Sequence, residues 1–372
     1  MRTEVLKVDP ADAGGVALRA ASEVLRRGGL VAFPTETVYG VGARADDPDA
    51  MTRLRTAKSC SPERAFTVHV GSTEASTKYA SRWSGVARRL AHKGWPGPLT
   101  LIVPAAAASA PIMAGLDPSA AGAMFYDGTV GLRCPDHAVA LSLLHGVGVP
   151  IVAASANVTG KPAPTSADDV LDDLGHAVDL VLDAGPTRYA KPSTVVRATG
   201  RSFEIVRAGV YDERTIRAMA CLRLLFVCTG NTCRSPMAAA LARAAIAKRL
   251  GCDASDLPAL GVHIESAGTS GGGGGAADHA IAVMARRGID VSGHRSRSLT
   301  TALIEQADHI YTMTAAHEES VMRMAPSARR RVTRLLGDRD VVDPFGGTED
   351  DYERTAQAID AGLAVRLEDV AL

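Results

Sequence analysis

The sequence predicts an α/β protein of two domains. Its 372 residues exceed the length at which a single hydrophobic core usually stops growing. Two different sets of motifs divide the chain near residue 215, and the second set lies on alternating strand and helix signals. We therefore place the domains at residues 1–214 and 222–372, joined by a linker within residues 209–221.

The first domain carries a glycine turn, a short apolar strand and a polar loop in residues 28–42, GGLVAFPTETVYGVG. Two glycines near the end of this stretch permit tight backbone turns. By itself the pattern does not define a function. It is accompanied by WPGPLT at 95–100, GLRCPDH at 131–137, AASAN at 153–157 and PSTVV at 192–196. Together these segments give residues 17–211 a resemblance to the YrdC family of L-threonylcarbamoyladenylate synthases.

This resemblance implies a twisted, largely mixed sheet with helices and a concave face. It also implies that L-threonine, bicarbonate and ATP are joined into threonylcarbamoyl-AMP and pyrophosphate, with Mg²⁺ bridging the phosphates. The product would pass to downstream tRNA-modification enzymes, and we expect no stable direct binding to nucleic acid. Carried over by position, the family places threonine against Thr37, His69, Arg133 and Ser193, and ATP against Lys58, Thr129, Ser155, Asn157 and Arg207.

The chemistry of these residues fits such a reaction. A site that gathers a triphosphate, a carboxylate and bicarbonate needs cations and many hydrogen-bond donors. The set supplies both, with the cations Lys58, Arg133 and Arg207 and the hydroxyls of Thr37, Thr129, Ser155 and Ser193.

Three positions depart from the pattern of the family. Cys60 stands where an arginine is expected on the phosphates, Arg64 where an asparagine is expected, and Ala163 where a serine is expected at the ATP site. Loss of one phosphate-binding arginine can slow a reaction by about two powers of ten or more. Arg64 is a candidate substitute. The alternative hypothesis is a domain that has lost catalysis and binds nucleotide or RNA, fused to an active phosphatase.

The second domain begins with a phosphate-binding motif. Cys228 and Arg234 bracket five residues after the apolar run 222–227, and an alanine-rich helix is predicted over 237–250. Backbone N–H groups and the positive end of the helix dipole converge on an anion there, and they favour the thiolate form of a cysteine. The arginine fork fits two phosphoryl oxygens. The remaining loop residues are Thr229, Gly230, Asn231, Thr232, Cys233 and Ser235.

Cys228 is the predicted nucleophile, Arg234 the predicted phosphate clamp and Asp343, in the string DPFGG, the predicted general acid. Ser235 could stabilise the thiolate as a leaving group. With ESAGT at 265–269, GHRSRSL at 293–299 and ADHIYTMT at 307–314, residues 222–372 resemble the low-molecular-weight protein phosphatase family. This family includes tyrosine and arginine phosphatases and needs no cofactor. Arsenate reduction, on a related fold, fits Ser235 and Asp343 less well than hydrolysis.

Thr232 bears on the choice of substrate. In the family, threonine at this loop position marks the arginine phosphatases, whereas tyrosine phosphatases usually carry an aliphatic residue, so the resemblance favours phosphoarginine on a protein. Against this, the glycine run 271–275 lacks the apolar wall that such enzymes place beside the substrate. Cys233 could form a disulfide with Cys228 under oxidation.

The alternation of signals in the second domain predicts a parallel sheet wrapped by helices, with the site at the carboxyl ends of the strands. Predicted strands cover 222–227, 262–266 and 309–313, and predicted helices cover 237–250, 276–287 and 350–367. No segment has the apolar length of a membrane span. The six cysteines show no disulfide-framework or zinc spacing, which together with a thiolate nucleophile predicts the cytoplasm. The formal net charge of +0 argues against a general nucleic-acid surface.

Overall fold

The computed structural model describes residues 3–11, 15–61, 63–80, 82–106, 112, 117–368 and 370–372. The chain divides into two compact units, Met1–Ala220 and Cys221–Leu372. In the described residues, no helix combines the length and apolar character needed to cross a membrane.

The described strands of the first unit form one mixed sheet. They are β1 (Glu4–Lys7), β2 (Val31–Phe33), β3 (Gly40–Arg44), β4 (Thr67–His69), β5 (Leu99–Pro104), β6 (Phe125–Tyr126), β7 (Thr129–Arg133), β8 (Ile151–Ser155), β9 (Leu180–Asp183), β10 (Thr194–Arg197) and β11 (Glu204–Arg207). The order is β1-β9-β2-β3-β8-β4-β7-β5-β10-β11, and β6 pairs with β7. The sheet contains both parallel pairs, such as β4 with β7, and antiparallel pairs, such as β3 with β8. The predicted mixed sheet is confirmed.

Hydrophobic clusters cover both faces of this sheet. Along β2, Ala32 belongs to one cluster, whereas Val31 and Phe33 belong to another, as the alternation of side chains along a strand requires. The described helices are α1 (Val16–Arg26), α2 (Pro48–Lys58), α3 (Gly85–Gly94), α4 (Pro118–Met124), α5 (Ala138–Val147), α6 (Ala167–Leu174) and α7 (Glu213–Ala220).

The cap of α2 fixes where Lys58 is presented. Asp47 accepts hydrogen bonds from the N–H groups of Asp49 and Ala50, and Pro48 occupies the first turn, where its missing N–H costs nothing. The helix ends at Ser59, which has a left-handed φ of 47°. Lys58 is therefore the last helical residue and lies beside the end of β8.

Helix α7 lies within the predicted linker, residues 209–221. Its Ile216 and Ala220 are buried, and the guanidinium of Arg89 donates a 2.6 Å hydrogen bond to the carbonyl of Ala220. Residue 214, where the first domain was predicted to end, is inside this helix, and the unit continues to Ala220 because the helix packs on it.

The second unit has a parallel sheet, as predicted. Its strands are β12 (Leu222–Cys228), β13 (Val262–Gly268), β14 (His309–Thr312) and β15 (Val332–Arg334), in the order β13-β12-β14-β15. Its described helices are α8 (Arg234–Leu250), α9 (Asp278–Arg286), α10 (Thr301–Gln306), α11 (Ala315–Met324) and α12 (Glu349–Arg366). After β12, the chain first forms β13 on one side of β12 and then β14 on the opposite side of β12. The crevice of such a sheet opens at the carboxyl end of β12.

The start of α8 corrects the prediction of a helix from Met237. The helix begins at Arg234, and Pro236 lies in its first turn, where proline is tolerated. Arg234 and Ser235 are therefore helical residues rather than loop residues. The short β15 and the helices α10 and α11 were not predicted.

Two candidate active sites

A cavity of about 150 Å³ opens in the first unit beside the ends of β4, β7 and β8. The predicted residues His69, Arg133, Ser155, Ser193 and Arg207 line it. Thr35 and Thr100, which were not predicted, also line it, as does Arg64, which was predicted only as a substitute.

Arg133 is the central cation of this cavity. It donates a 2.6 Å hydrogen bond to Thr37 Oγ1 and forms a 3.0 Å ion pair with Glu36. The Arg133 and Glu36 side chains are only 7% and 2% exposed. The buried atoms Arg133 Nε and Glu36 Oε2 have no partner among the described residues. Thr37 therefore lies behind Arg133 rather than on the cavity wall, and Glu36, which was not predicted, fixes the guanidinium from the same loop.

His69 lies at the end of β4 and is neutral at physiological pH. Burial, with a further contribution from the positive charge of Arg133, lowers its pKa to about 3. Its Nδ1 is 3.1 Å from the carbonyl oxygen of Thr67, so Nδ1 carries the proton and donates it to that oxygen. Nε2 is then an acceptor, suited to a hydroxyl or ammonium group.

Ser193 connects the remaining polar groups of the cavity. Its Oγ lies 2.9 Å from Thr100 Oγ1, and Arg207 donates to its carbonyl oxygen at 2.8 Å and to its Oγ at 3.2 Å. These contacts hold one edge of Arg207 in place beside the cavity.

Lys58 and Asn157 form a buried cluster that does not line the cavity. Lys58 Nζ donates to the carbonyl oxygens of Ser155 and Asn157, and Asn157 Nδ2 donates to Lys161 O at 2.7 Å. Burial, followed by the charge of Arg64, lowers the pKa of Lys58 to about 8. Both side chains are thus occupied by protein partners.

Thr129 also lies outside the cavity. It is the first residue of β7, and Arg133 is the last, which separates them by about 13 Å along the strand. Its hydroxyl donates to Tyr126 O at 2.8 Å.

The three departures from the family pattern occupy different surroundings. Arg64 is exposed and lines the cavity, whereas Cys60 and Ala163 are half-buried and do not line it. Arg64, the candidate substitute for the arginine missing at position 60, therefore lies at the cavity.

In the second unit, Cys228 ends the central strand β12 and Arg234 begins α8. Cys228 is 2% exposed. Its sulfur lies 3.0 Å from Ser235 Oγ and accepts a 3.2 Å hydrogen bond from the N–H of Asn231. The structure thus brings sulfur, hydroxyl and backbone N–H together at a helix N-terminus, as the motif requires.

Asn231 holds this loop in shape. It has a left-handed φ of 55°, which asparagine tolerates better than most residues. Its Nδ2 donates to Ser235 Oγ and to Ser266 Oγ, both at 2.9 Å. His294 Nε2 donates to its carbonyl oxygen at 2.7 Å. Ser266 and His294 were not predicted, and their only sequence signal is their position inside the two resembling segments.

Arg234 forms an ion pair with Asp343, the predicted general acid. The arginine is buried, whereas Asp343 is 46% exposed. Arg234 also donates to Val341 O at 3.3 Å and to Thr229 Oγ1 at 3.4 Å. The two predicted catalytic groups are therefore in contact. A phosphoryl group that binds Arg234 must displace the Asp343 carboxylate from the guanidinium.

The other predicted loop residues surround this centre. Thr232 Oγ1 lies 3.5 Å from Cys233 Sγ, and Cys233 Sγ lies 3.2 Å from the hydroxyl of Tyr352. Ser296 Oγ donates to Gly230 O at 2.7 Å. Cys228 and Cys233 are both free thiols.

Two apolar side chains flank Asp343 on the surface. Val342 is 76% exposed and Phe345 is 77% exposed. The glycine run 271–275 has no apolar side chain. Val342 and Phe345 supply exposed apolar surface next to the predicted acid, and the Phe345 N–H donates to Asp343 Oδ1 at 3.3 Å.

His317 lies below the loop. Its ring bonds Thr229 through Nε2 and Thr314 through Nδ1, both at 2.9 Å. Burial, followed by the positive charge of Arg234, lowers its pKa from an ordinary 6.5 to about 4. The unfolded chain therefore binds a proton at His317 more readily than the folded chain does. Protonation of His317 at acidic pH then lowers the free energy of unfolding of the second unit.

We expect the second unit to lose stability as the pH falls from about 6.5 toward 4, and His317→Asn to reduce that loss. Hydrogen exchange of peptides from α11, corrected for intrinsic rates, should show lower protection at pH 5 than at pH 7 in the parent chain. The variant should show a smaller difference. An equal difference in both chains would contradict the assignment to His317.

The two units match two known families. Residues 23–209 match the Sua5–YciO–YrdC family model, described as telomere recombination, and residues 223–371 match the low molecular weight phosphotyrosine protein phosphatase model. The threonylcarbamoyl-AMP synthase of Pyrococcus abyssi is 39% identical over 193 residues, which are 52% of this chain and 54% of that protein. The synthase of Vibrio cholerae serotype O1 is 31% identical over 194 residues, 52% of this chain and 97% of that protein.

The chain spans about half the length of the Pyrococcus abyssi and Bacillus subtilis synthases that it matches. A solved structure of Pyrococcus abyssi Sua5 complexed with L-threonine aligns with 97% of this chain and 98% of that chain. The TM-score is 0.51 and the identity 22%, which is a likeness of fold.

Fold and sites together define a two-unit α/β protein with a cationic cavity in a mixed-sheet domain and a cysteine phosphate loop in a parallel-sheet domain. The chain belongs to the Sua5–YciO–YrdC family through its first unit and carries a low molecular weight phosphatase domain as its second.

Proposed function

We propose that the protein is bifunctional. The first unit joins L-threonine, bicarbonate and ATP into threonylcarbamoyl-AMP, which downstream enzymes use for tRNA modification. The second unit removes phosphoryl groups from proteins. The synthase proposal is carried by the cavity that places Arg133, neutral His69 and Ser193 together, in a family whose matched relatives are threonylcarbamoyl-AMP synthases. A thiol nucleophile requires a reducing compartment, which favours the cytoplasm.

Arg133 and His69 suit the two ends of an amino acid. The carboxylate of threonine would pair with the guanidinium of Arg133, which Glu36 and Thr37 already orient. Nε2 of His69 would accept a hydrogen bond from the hydroxyl or ammonium group of threonine. Arg64 and Arg207 add positive charge for phosphates at the same cavity. Lys58 and Asn157 support the end of β8 from behind, because their polar atoms bond the protein itself.

Magnesium fits this site as an ion that arrives with the nucleotide. The described residues contain no group of three or more His, Cys, Asp or Glu side chains able to hold a metal. Mg²⁺ keeps several waters and takes phosphate oxygens, so it does not require such a group. Bound there, it would neutralise charge on the triphosphate while Arg64 and Arg207 orient it.

The synthase proposal is tested by incubating the full chain with ATP, Mg²⁺, L-threonine and bicarbonate, and measuring pyrophosphate and threonylcarbamoyl-AMP. Threonine-dependent product supports it. Absence of product, in a preparation whose phosphatase works, favours the degenerate nucleotide- or RNA-binding module. The triple variant Cys60→Arg, Arg64→Asn and Ala163→Ser gives a second test. Synthesis should appear in this variant if the natural domain has lost the activity. Synthesis should change little if the natural domain is already competent.

In the phosphatase reaction, the Cys228 thiolate attacks phosphorus, an S–P bond forms, and the bond from phosphorus to the leaving group breaks. Asp343 in its acid form gives its proton to the leaving atom, and Arg234 and the loop N–H groups hold the equatorial oxygens. Water then attacks the phosphocysteine, with Asp343 accepting its proton, and inorganic phosphate leaves. The 3.0 Å contact of Ser235 Oγ with the sulfur stabilises the departing thiolate.

Phosphoarginine is our proposed substrate group. Thr232 supplies a hydroxyl in the loop, and a hydroxyl can bond a polar guanidino group or orient an attacking water, as a methyl group cannot. The exposed Phe345 next to Asp343 offers a ring for the side chain of the substrate.

Thr232→Val should therefore lower kcat/KM for phosphoarginine relative to phosphotyrosine by about 10- to 100-fold, the cost of losing one hydrogen bond in a desolvated site. The measurement is the ratio of kcat/KM for peptides that carry either group. Thr301→Val, at an exposed threonine of α10 outside the loop, serves as the control. An unchanged ratio would exclude a role for the Thr232 hydroxyl in selecting the substrate.

A further inference from the structure

A second cavity lies behind the phosphate-binding loop in the second unit. Its volume is about 310 Å³, and it is lined by Pro236, Arg243, Ser266, Asp290, Val291, Gly293 and His294. We call it the rear cavity. None of the roles proposed above uses it.

Arg243 gives the rear cavity a positive charge with little compensation. The half-buried guanidinium donates to Ile264 O at 3.1 Å, and no carboxylate forms an ion pair with it among the described residues. Glu265 is near, but its carboxylate is held by Arg297 at 3.0 Å. Burial lowers the pKa of Arg243, which shows that its charge is poorly solvated. A partly buried cation without a paired anion favours an anionic ligand.

The charges around His294 reinforce this field. Arg243, Arg295 and Arg297 all act on His294, whose pKa is lowered first by burial and then by these cations, against the hydrogen bond to Asn231. These effects favour the neutral ring, and Nε2 donates its proton to Asn231 O at 2.7 Å. Asp290, at the exposed rim, is the acidic residue in the lining.

The lining also indicates what kind of anion fits. Arg243 can hold a carboxylate in a planar fork, and the hydroxyl of Ser266 can add a donor. Pro236 and Val291 present apolar surface in the same cavity. An anion with a short hydrocarbon chain uses both parts of the lining, whereas inorganic phosphate uses only the polar part.

Two hydrogen bonds connect the rear cavity to the nucleophile. Ser266 and His294 line the cavity and bond Asn231, whose N–H donates to the sulfur of Cys228. A ligand that shifts either residue changes the position of Asn231 and with it the stabilisation of the thiolate. We propose that the rear cavity binds a short-chain organic carboxylate through Arg243, and that its occupancy changes turnover at Cys228.

Binding is tested by calorimetric titration of the full chain with butyrate, with butyramide as the neutral ligand of the same shape. Saturating orthovanadate is present so that the loop at Cys228 is filled. We expect butyrate, not butyramide, to bind, with affinity about 10- to 100-fold lower in Arg243→Met. Lys248→Met removes an exposed charge from the same helix and should bind like the parent chain. No binding, or equal binding by Arg243→Met, overturns the proposal.

The coupling is tested kinetically, and this arm rests on the proposed phosphatase activity. Butyrate that binds in the phosphate-binding loop competes with the substrate and raises only the KM of the phosphatase reaction. Butyrate that binds in the rear cavity should change kcat, by about fivefold at saturation. The change should be absent in Arg243→Met and present in Lys248→Met. An unchanged kcat with butyrate bound overturns the coupling. Failure of the phosphatase proposal is distinguishable, because calorimetry does not require turnover.

Discussion

Replacing Cys228 by serine should abolish phosphatase turnover, with a loss of about four powers of ten or more, the scale seen when a covalent nucleophile is removed. Serine keeps the loop contacts, since a hydroxyl can still accept from the Asn231 N–H and lie beside Ser235. It is a much weaker nucleophile than a thiolate. Binding of a phosphate analogue should therefore survive. The assay is hydrolysis of a phosphorylated peptide together with calorimetric binding of sulfate.

Cys252→Ser is the matched control for this variant. Cys252 is also a free thiol but lies beyond the end of α8, with its sulfur 3.9 Å from Ala247 O. It should retain full turnover. If Cys228→Ser keeps turnover, Cys228 is not the nucleophile. Full turnover in Cys252→Ser shows that the loss is specific to Cys228.

Arg133→Met should destabilise the first unit by about 3 kcal/mol and abolish threonine-dependent synthesis. The substitution leaves Glu36, which is 2% exposed, as a buried charge without its partner. Removing one member of a buried ion pair typically lowers the free energy of unfolding by about 3 kcal/mol or more. Both tryptophans of the chain, Trp83 and Trp95, lie in the first unit. Urea unfolding followed by tryptophan fluorescence therefore reports on this unit selectively.

A double variant separates stability from chemistry. In Arg133→Met with Glu36→Gln neither position of the former ion pair carries a charge, so most of the lost stability should return while synthesis stays absent. Arg197→Met breaks the exposed pair with Glu204, in which the side chains are 49% and 65% exposed, and should cost about 1 kcal/mol or less. Synthesis that returns in the double variant would show that Arg133 acts only through folding.

The sequence was sufficient for features that depend on neighbouring residues. The spacing of Cys228 and Arg234 predicts a single strand–loop–helix turn, and the structure has Cys228 at the end of β12 and Arg234 at the start of α8. The parallel sheet of the second unit followed from the alternation of its signals. Helix α8 begins earlier than predicted because proline suits a first turn as well as it suits a loop.

The missed contacts join segments that are distant in sequence. Glu36 meets Arg133 across 97 residues, and His294 meets Asn231 across 63. His317, which no sequence motif singled out, bonds Thr229 across 88 residues. No local pattern distinguishes such partners. Asn157 and Lys58 bond protein atoms in this structure, and their predicted contact with a nucleotide stays a prediction.

The contact between Arg234 and Asp343 bears on how the second unit clears its site. Inorganic phosphate, the product, must compete with a tethered carboxylate for the same guanidinium, so the protein contains its own competitor for the anion. Each time Asp343 returns to Arg234, it opposes rebinding of the product. Weak product inhibition at cellular phosphate concentrations is the expected consequence, and it would let the phosphatase domain turn over repeatedly in a phosphate-rich environment.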